Sequence, residues 1–445
     1  MPIEKQATTD ATTESLAAPD AARRAILGRS DAVVGTLMDL VVHKVVAGGD
    51  GLARAADGRV VFVPAVLPGE HVRVRLVEVK RDLAKAELVE VLRPSSDRIA
   101  PPCPHVARGC GGCSWQHATT AAQLTLKQDI VREALARTGG LADAVVDLGP
   151  ALPAVGFRTT LRVAVEGSRP GVTPGRHAAG RPQPGLLPTV ASRVGFRAHR
   201  HHDVVVVDDC LVAHPLLAEL LPALHASGAS EVMLRCSPAT GERLALADEA
   251  GARLEGLPGD VGVGPRAKLR EVVDGVTLQV SAGSFFQSRS DGAEALVAAV
   301  RRAAGPMPEG RTIDAYGGVG LFAATVLRET EVVVIESVPC SVTDAMHNLV
   351  GQAATIERVT VERWRPVRAD LVVADPARRG LGAAAVDVLA ATRAARLVLV
   401  SCDPVSLARD AKLLAAKGLR HERTTVIDLF PHTAHIEAVS AFVRD

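Results

Sequence analysis

The sequence DAYGGVGLFA, residues 314–323, places three glycines between an apolar run and a segment that predicts a helix. Gly317, Gly318 and Gly320 would let the backbone pass close to a ligand at the carboxyl end of the preceding strand. Sixteen residues after Gly320, Glu336 ends the run VVVIE, where a carboxylate can bind ribose hydroxyls. A glycine turn alone can be an ordinary strand–helix turn, but Glu336 at the end of the next apolar run favours a nucleotide-cofactor site.

Apolar runs in the C-terminal part of the chain alternate with helical segments and indicate an α/β fold. The runs are RTIDAY, EVVVIES, ADLVVADP and RLVLVSCDP, and two further strands, TTVIDLF and HIEAVSAFV, end the chain. Continuous apolar strands separated by helices are typical of a parallel sheet that is covered on both faces. Ligands of such sheets bind beyond the carboxyl ends of the strands. We therefore expect four residues to gather along one edge: Asp314, Glu336, Asp375 and Cys402.

The sequence CPHVARGCGGC brings Cys103, Cys110 and Cys113 within eleven residues, so that their thiolates can converge on one metal centre. The intervening glycines let the backbone turn tightly around that centre. A fourth ligand must come from elsewhere, and Cys210 is preferred over Cys236. Three clustered cysteines and a distant one favour an iron–sulfur cluster, with structural zinc or unmetallated cysteines as the alternatives.

Composition limits the class of protein. Seven cysteines are an odd number, and the first residues show no export signal, which argues for a reducing cytoplasm and against a disulfide framework. No apolar run is long enough to span a membrane. The formal net charge of +1 excludes a global basic field, so nucleic acid would have to bind to local patches. The candidate phosphate contacts are Lys80, Arg81, Lys85, Arg197 and Arg200.

Changes in pattern divide the chain into four segments. Residues 1–30 are rich in Ala, Thr, Glu and Asp with little periodicity, which predicts a disordered tail. Residues 31–93 contain short alternating strands, among them VRVRLVEV, and predict a small OB-like barrel. Residues 94–285 predict a central mixed α+β domain that contains the cysteine cluster. Residues 286–445 form the α/β domain.

Two local features of the central segment are predicted. A Pro-, Gly- and Arg-rich stretch at 167–188 predicts a loop. Apolar residues share one face of a helix that the sequence TGG ends. They are Leu126, Ile130, Val131, Ala134 and Leu135.

Taken in order, these motifs resemble those of a known family. The sequences GCGGCSWQH, SFFQ, DAYGGVGLF, IES, DPARRG, SCDP and HIEAV are similar to those of the bacterial RNA uridine-5-methyltransferases, over roughly residues 31–445. The 23S rRNA branch is the most similar. That branch carries an N-terminal TRAM domain, an OB-like RNA-binding barrel, and a 4Fe-4S cluster, whereas the tRNA branch typically lacks both.

The resemblance implies a class I methyltransferase domain with a Rossmann-like sheet, S-adenosylmethionine as the methyl donor, a 4Fe-4S cluster, and RNA as the substrate of a cytoplasmic monomer. Cys402 matches the family's nucleophile, and Glu437 matches its general base. The candidate cofactor contacts are Gly318 and Gly320 of the turn, with Gln287, Tyr316, Glu336 and Asp375 matching the family's residues. The residues that match the cluster ligands are Cys103, Cys110, Cys113 and Cys210.

The chain departs from the family's pattern in four places. Leu321 stands where the family usually has Asn, and Ala377 interrupts the usual D-P-P-R. Ser288 and Arg289 stand in place of Val-Asn. Asp403 replaces the Asn of S-C-N-P and adds a negative charge beside the nucleophile, which disfavours a thiolate unless a nearby arginine offsets it.

Methylation of uracil at carbon 5 needs a thiolate and a base because carbon 5 is a poor nucleophile. A thiolate that adds to carbon 6 turns the ring into an enolate, whose carbon 5 can attack a methyl donor. A base must then remove the carbon 5 proton. Cys402 lies between an apolar strand and a helix, and a helix N-terminus lowers the pKa of a cysteine. The target base must lie in a loop or be flipped out of its helix.

Three other functions stay open. A dinucleotide oxidoreductase also has a glycine turn, but here the turn is not G-x-G-x-x-G and lies late in the chain. A tRNA uridine-54 methyltransferase is disfavoured by the barrel and the cysteine cluster. A non-catalytic RNA-binding or redox-sensing iron–sulfur protein is disfavoured by the pair of Cys402 and Glu437.

Overall fold

A computed structural model of the protein describes residues 33–168 and 185–444. The predicted tail at 1–30 and most of the predicted loop at 167–188 lie outside these residues. The described chain forms two compact units, which consist of residues 33–44 with 50–95, and of residues 45–49 with 96–444.

The first unit is a small closed β-barrel. Its strands are β1 (Leu37–Val45), β2 (Gly51–Arg54), β3 (Val60–Val63), β4 (His71–Val79) and β5 (Leu83–Arg93), in the order β1-β2-β3-β5-β4. Along β4, the alternate residues Val72, Val74 and Leu76 belong to the barrel core and are at most 1% exposed. This is the two-residue period of the sequence, and it confirms the predicted OB-like barrel.

The second unit begins with mixed β-structure. The strands are β6 (Val146–Leu148), β7 (Thr160–Val165), β8 (Ser192–Arg197), β9 (Val204–Val206), β10 (His225–Ser227), β11 (Glu231–Cys236), β12 (Arg243–Ala247), β13 (Arg253–Glu255), β14 (Val261–Val263), β15 (Lys268–Val273) and β16 (Val276–Ser281). One sheet has the order β13-β10-β8-β7-β11-β12-β14, with β9 paired to β8, while β15 and β16 form a hairpin.

The glycine turn belongs to a second sheet of this unit. Its further strands are β17 (Thr312–Ala315), β18 (Val332–Glu336), β19 (Ala354–Arg358), β20 (Leu371–Ala374), β21 (Arg396–Ser401), β22 (Leu419–Ile427) and β23 (Glu437–Arg444). The order is β19-β18-β17-β20-β21-β23-β22-β6. Strands β17 to β21 are parallel, and β23 lies antiparallel between β21 and β22. The predicted Rossmann-like α/β fold is confirmed.

The described helices all belong to the second unit. They are α1 (Pro104–Ala107), α2 (Thr120–Arg137), α3 (Pro215–Ala218), α4 (Ser290–Ala304), α5 (Leu321–Ala324), α6 (Pro339–Asn348), α7 (Gly382–Ala391) and α8 (Pro404–Ala415), with a short 3₁₀ helix at Val361–Arg363. The predicted apolar face on α2 is present, but Gln123 and Lys127 on the same helix are also fully buried. None of the described helices is long and apolar enough to cross a membrane.

The apolar runs are continuous because both faces of the second sheet are buried. On β20, Val373 packs into one core and Val372 into the other. Ile130, Val131 and Leu135 of α2 join the second of these cores, where α2 packs against α8. Helix α2 therefore supports the sheet that carries the glycine turn, although it lies almost two hundred residues earlier in the chain.

Phe442 on β23 gives a test of this packing. Its side chain is fully buried. We expect Phe442→Ala to lower the free energy of unfolding by about 3–5 kcal/mol, because the cavity cannot close within a sheet covered on both faces. Chemical denaturation measures the change. Phe285→Ala is the control, because Phe285 is 70% exposed and its loss should change the free energy by less than about 0.5 kcal/mol. Equal effects of the two substitutions would contradict the assigned core.

Candidate active site

The glycine turn contacts the acid at the end of β18. The Gly318 N–H donates to Oε2 of Glu336 at 3.0 Å, and Oε1 accepts from the Val338 N–H at 2.6 Å. A Cβ at Gly317 would lie 2.5 Å from Cγ1 of Val334, so only glycine fits there. Glu336 thus joins the turn to the start of α6.

Asp314 is fully buried beneath the turn. Its Oδ2 accepts from the Ala323 N–H at 2.9 Å, while Oδ1 has no hydrogen-bond partner among the described residues. Burial, and then the charges of Asp375 and Glu336, raise the pKa of Asp314 to about 7. The three acids therefore interact along one edge of the sheet, as their positions after parallel strands predicted.

Two residues that flank the glycines pack into apolar surroundings. Tyr316 has a φ of 63°, an unusual value for a residue with a side chain, and its hydroxyl is buried without a partner in the described chain. Burial raises the pKa of this hydroxyl. Leu321 is 7% exposed and belongs to a core. The position where the family usually has Asn therefore supplies packing and no polar group.

Helix α6 holds the segment that carries Gln287, which is itself buried. The fully buried carboxylate of Asp344 accepts from the N–H and the hydroxyl of Ser281, at 2.8 and 2.7 Å. Asn348, one turn further along α6, donates to the carbonyl oxygen of Val319 in the glycine turn at 2.9 Å. The sequence analysis missed both residues, although their i, i+4 spacing places them on one helix face.

Cys402 and Glu437 are brought together by strand register. Ser401 at the end of β21 pairs with Ala438 in antiparallel β23, so the next two residues outward are Cys402 and Glu437. Asp375 directly follows β20, the parallel neighbour of β21. Residues from three adjacent strands thus meet at the carboxyl edge of the sheet.

Burial and mutual repulsion disfavour the charged forms of these groups. Burial, and then the charges of Glu437 and Asp375, raise the pKa of the Cys402 thiol to about 12. Burial raises the pKa of Asp375 to about 7. Burial and Asp375 raise the pKa of Glu437 well above its usual value. The three groups therefore lie near enough for their charges to interact.

Arg378 is the cation that lowers the pKa of Cys402. Its backbone oxygen accepts from the Ser406 hydroxyl at 2.8 Å, and its Nη2 lies 3.5 Å from Nδ1 of His435. Partial burial, and then the charge of Arg378, lower the pKa of His435 to about 4. His435 is therefore neutral near pH 7 and leaves the positive charge to Arg378.

Asp403 caps helix α8. Its Oδ1 accepts from the Ser406 N–H at 2.7 Å, and Pro404 occupies the first turn. Asp and Asn are about equally good N-caps, so the replacement of the family's Asn preserves this function. The helix N-terminus also partly offsets the added negative charge. The groups that shift the pKa of Cys402 do not include Asp403.

The four predicted cluster cysteines line one cavity. They are Cys103, Cys110, Cys113 and Cys210. Backbone N–H groups of Gly112, Val212 and Ala213 donate to the thiols of Cys110 and Cys210. Arg158 lines the same cavity, and its buried Nε has no hydrogen-bond partner in the described chain. The cavity thus combines four thiols with one guanidinium.

The alternatives for the cysteines can be compared with this geometry. Cys236 is fully buried within the core of the central segment and is not among the residues that line the cavity. In the described ranges, no three His, Cys, Asp or Glu side chains lie close enough together to hold a single metal ion. A lone zinc ion needs four donors about 2.3 Å from one point.

The candidate RNA contacts are partly engaged within the protein. Lys80 and Lys85 both pair with Glu78, at 2.7 and 2.8 Å, and lower its pKa to about 2. Arg197 donates to the carbonyl oxygen of Ser168 at 2.9 Å. Arg81, whose side chain is 78% exposed, is 4.0 Å from Asp82. Among Lys80, Arg81 and Lys85, Arg81 is thus the one whose charge is most available to a phosphate.

Comparison with known proteins identifies a domain and a family. Residues 32–89 match the TRAM domain. An uncharacterized RNA methyltransferase of Streptomyces avermitilis is 33% identical over 92% of this chain and 98% of its own length. The 23S rRNA (uracil(1939)-C(5))-methyltransferase RlmD of Pseudomonas entomophila is 31% identical over 92% of this chain and 94% of its own length.

A solved structure shares the fold. The Pyrococcus abyssi tRNA (uracil-54, C5)-methyltransferase, in complex with S-adenosyl-L-homocysteine, superimposes with a TM-score of 0.67. It is 22% identical, and the match covers 91% of this chain and all of that protein. With a TRAM barrel, a Rossmann-like sheet and relatives matched over nearly their full length, this chain belongs to the family of RNA uracil-C5 methyltransferases.

Proposed function

We propose that the protein forms 5-methyluridine in 23S rRNA through a covalent bond between Cys402 and carbon 6 of the target uracil. The observation that carries this proposal is the register of β21 and β23, which sets Cys402 opposite Glu437. A single pyrimidine ring can then contact the thiol on carbon 6 and the carboxylate near carbon 5. A tRNA substrate is the second candidate, since the solved structure of similar fold is a tRNA enzyme.

The steps use the residues as follows. The Cys402 thiolate forms a bond to carbon 6, and the ring electrons move onto the uracil oxygen. Carbon 5 then takes the methyl group, whose bond to the donor's sulfur breaks with the electron pair left on sulfur, and Glu437 accepts the proton of carbon 5. The electron pair of that C–H bond re-forms the ring double bond and expels the thiolate, so that Cys402 is regenerated.

S-adenosylmethionine supplies the methyl group as a positively charged sulfonium donor. The residues at the sheet edge suit such a molecule, because Asp314, Glu336 and Asp375 form an acidic row and Oδ1 of Asp314 has no partner in the part of the chain that the structure describes. Glu336 and the glycine turn would hold the ribose, as acids at this position do in related sheets. Gln287 and Asp375 would contact the rest of the cofactor.

An iron–sulfur cluster is proposed for the cavity of the four cysteines. Four thiols, backbone N–H donors and Arg158, whose Nε has no hydrogen-bond partner among the described residues, fit a group that is negatively charged when thiolates bind it. The predictions of a cytoplasmic location and a monomeric state remain to be tested.

Methyl transfer to purified RNA tests the function. Incubation with labelled S-adenosylmethionine should label 23S rRNA at the carbon 5 of uridine and leave tRNA unlabelled. Cys402→Ala should reduce labelling to background and abolish the covalent complex with 5-fluorouridine RNA, because no thiolate is present.

The Glu437→Gln variant separates the two halves of the reaction. It should form the covalent complex on ordinary uridine RNA, because a charge that raised the pKa of Cys402 is removed. It should then fail to release the RNA, because the general base is lost. Full turnover by Cys402→Ala would refute the mechanism. Labelling of tRNA alone would replace the proposed substrate.

Arg378 gives a pH-dependent test. Because Arg378 lowers the pKa of Cys402, Arg378→Ala should raise that pKa and move the pH profile of adduct formation to higher pH. Loss of a nearby charge shifts a pKa by about 1 unit or more, so the rate near pH 7 should fall about tenfold and recover at alkaline pH. Arg379→Ala, in the same exposed loop, is the control. Identical profiles for both variants would contradict this function of Arg378.

Anaerobic purification tests the cluster. The protein should contain about four iron atoms per chain and show the charge-transfer absorbance of thiolate-bound iron. Cys210→Ser should lower the iron content, whereas Cys236→Ser should leave it unchanged, because Cys236 lies outside the cavity. An anaerobic preparation without iron or absorbance would exclude the cluster.

A further inference from the structure

We propose that Trp115, Gln123 and Lys127 act together as positioning residues for the loop between β22 and β23, residues 428–436. These three residues, named the α2 bracket here, lie on helix α2 and the segment just before it. The loop begins after β22 and ends at Glu437. This inference rests on the proposed function, since it assigns the bracket to the same reaction.

The bracket holds both backbone groups of His432. Oε1 of Gln123 accepts from the His432 N–H at 2.6 Å, and the Trp115 N–H donates to the His432 oxygen at 2.8 Å. Nε2 of Gln123 donates to the carbonyl oxygens of Ala118 and Trp115, at 2.9 and 3.2 Å, which fixes the orientation of the amide. Every hydrogen-bonding group of Gln123 is therefore used, and the residue is fully buried.

Lys127 holds the start of the same loop. Its Nζ donates to Oδ1 of Asp428 at 2.7 Å and to the carbonyl oxygen of Phe430 at 3.0 Å. The side chain is fully buried and lies over the Trp115 ring at 5.9 Å. A buried lysine is costly unless it is paired, so a position that contributes only packing would favour an apolar residue.

The backbone conformation of His432 is one that surrounding contacts must stabilise. Its φ is 66°, in the left-handed region that residues with a side chain rarely adopt. Such conformations persist where surrounding contacts fix them, and they occur often at active sites. Here the N–H and the carbonyl of the strained residue are the groups that the bracket binds.

The far end of the loop contacts the reacting groups. His435 lies against Arg378, the cation that lowers the pKa of Cys402. Two residues later the chain reaches Glu437. A displaced loop would therefore move the contact with Arg378 and the wall of the site beside Glu437.

The bracket also connects the loop to the cysteine cavity. Trp115 lies two residues after Cys113. Between them and α2, Gln116 accepts from the Cys103 N–H at 3.0 Å. The segment from Cys113 to Gln116 thus borders the cysteine cavity on one side and the loop of residues 428–436 on the other.

The test compares two glutamines on the same helix. Gln123→Met removes the bracket contacts, whereas Gln128→Met removes a single hydrogen bond, of 2.7 Å, to the carbonyl oxygen of Val146 in β6. For each variant we would measure adduct formation with 5-fluorouridine RNA, kcat, and the Kd of S-adenosylmethionine. Misplacement of reacting groups by about 1 Å can cost on the order of 100-fold, so adduct formation and kcat of Gln123→Met should fall 10- to 100-fold. The cofactor Kd should stay within about twofold, because the bracket touches no candidate cofactor contact.

Hydrogen exchange gives a second measurement. The peptide that covers residues 428–436 should exchange faster in Gln123→Met than in Gln128→Met, while peptides of the glycine turn remain unchanged. If Gln123→Met does not fold, Gln123→Glu replaces it, since it keeps the size and the acceptor for His432 but loses the Nε2 donors. The rate of adduct formation by Gln123→Glu should then fall by a smaller factor than the one expected of Gln123→Met, with the cofactor Kd unchanged.

The outcomes separate this inference from the proposed function. If both methionine variants form the adduct at the same rate, or if the cofactor Kd weakens in parallel with kcat, the bracket does not position the loop. Cys402→Ala is measured in the same assay. An adduct that persists in Cys402→Ala overturns the proposed mechanism itself, whatever the glutamine variants show.

Discussion

The site depends on one constraint of the sheet: the last strand of the chain runs against its neighbours. Strand β23 enters between β21 and β22, so that its first residue stands beside the last residues of β21. In a wholly parallel sheet, the start of that strand would lie at the opposite edge, far from the glycine turn. This antiparallel direction places the carboxylate of Glu437 next to Cys402, which precedes α8.

The pKa values of the site's residues follow from the close placement of these acidic groups. Three carboxylates and a thiol share a buried edge, so that burial and repulsion raise their pKa values. A thiol with a pKa of about 12 is protonated near pH 7. Arg378 and the N-terminus of α8 act in the opposite direction. A bound sulfonium would add positive charge to the same edge and favour ionised carboxylates.

Segments outside the α/β region complete the site. Helix α2 packs against α8, the helix that follows the cysteine, and its polar residues contact the loop before Glu437. Asp344 and Asn348 of α6 hold the Gln287 segment and the glycine turn together. Buried polar groups of this kind fix one arrangement, because each would lose its partners in any other. The site is therefore built by contacts that join distant parts of the chain.

The sequence by itself determined the barrel, the Rossmann-like sheet and the residues at the strand ends, because two-residue alternation and continuous apolar runs are local properties of the chain. The glycine turn and Glu336 were likewise predictable from spacing. Tertiary structure alone decided that Gln123 and Lys127 are buried against residues 428–436, since their partners lie about three hundred positions away. It also decided that Cys210 lines the cysteine cavity while Cys236 does not, and that Asp403 is a helix cap. Local pattern specifies which faces are apolar, but the partners of buried polar groups depend on which elements pack together, and that depends on the whole fold.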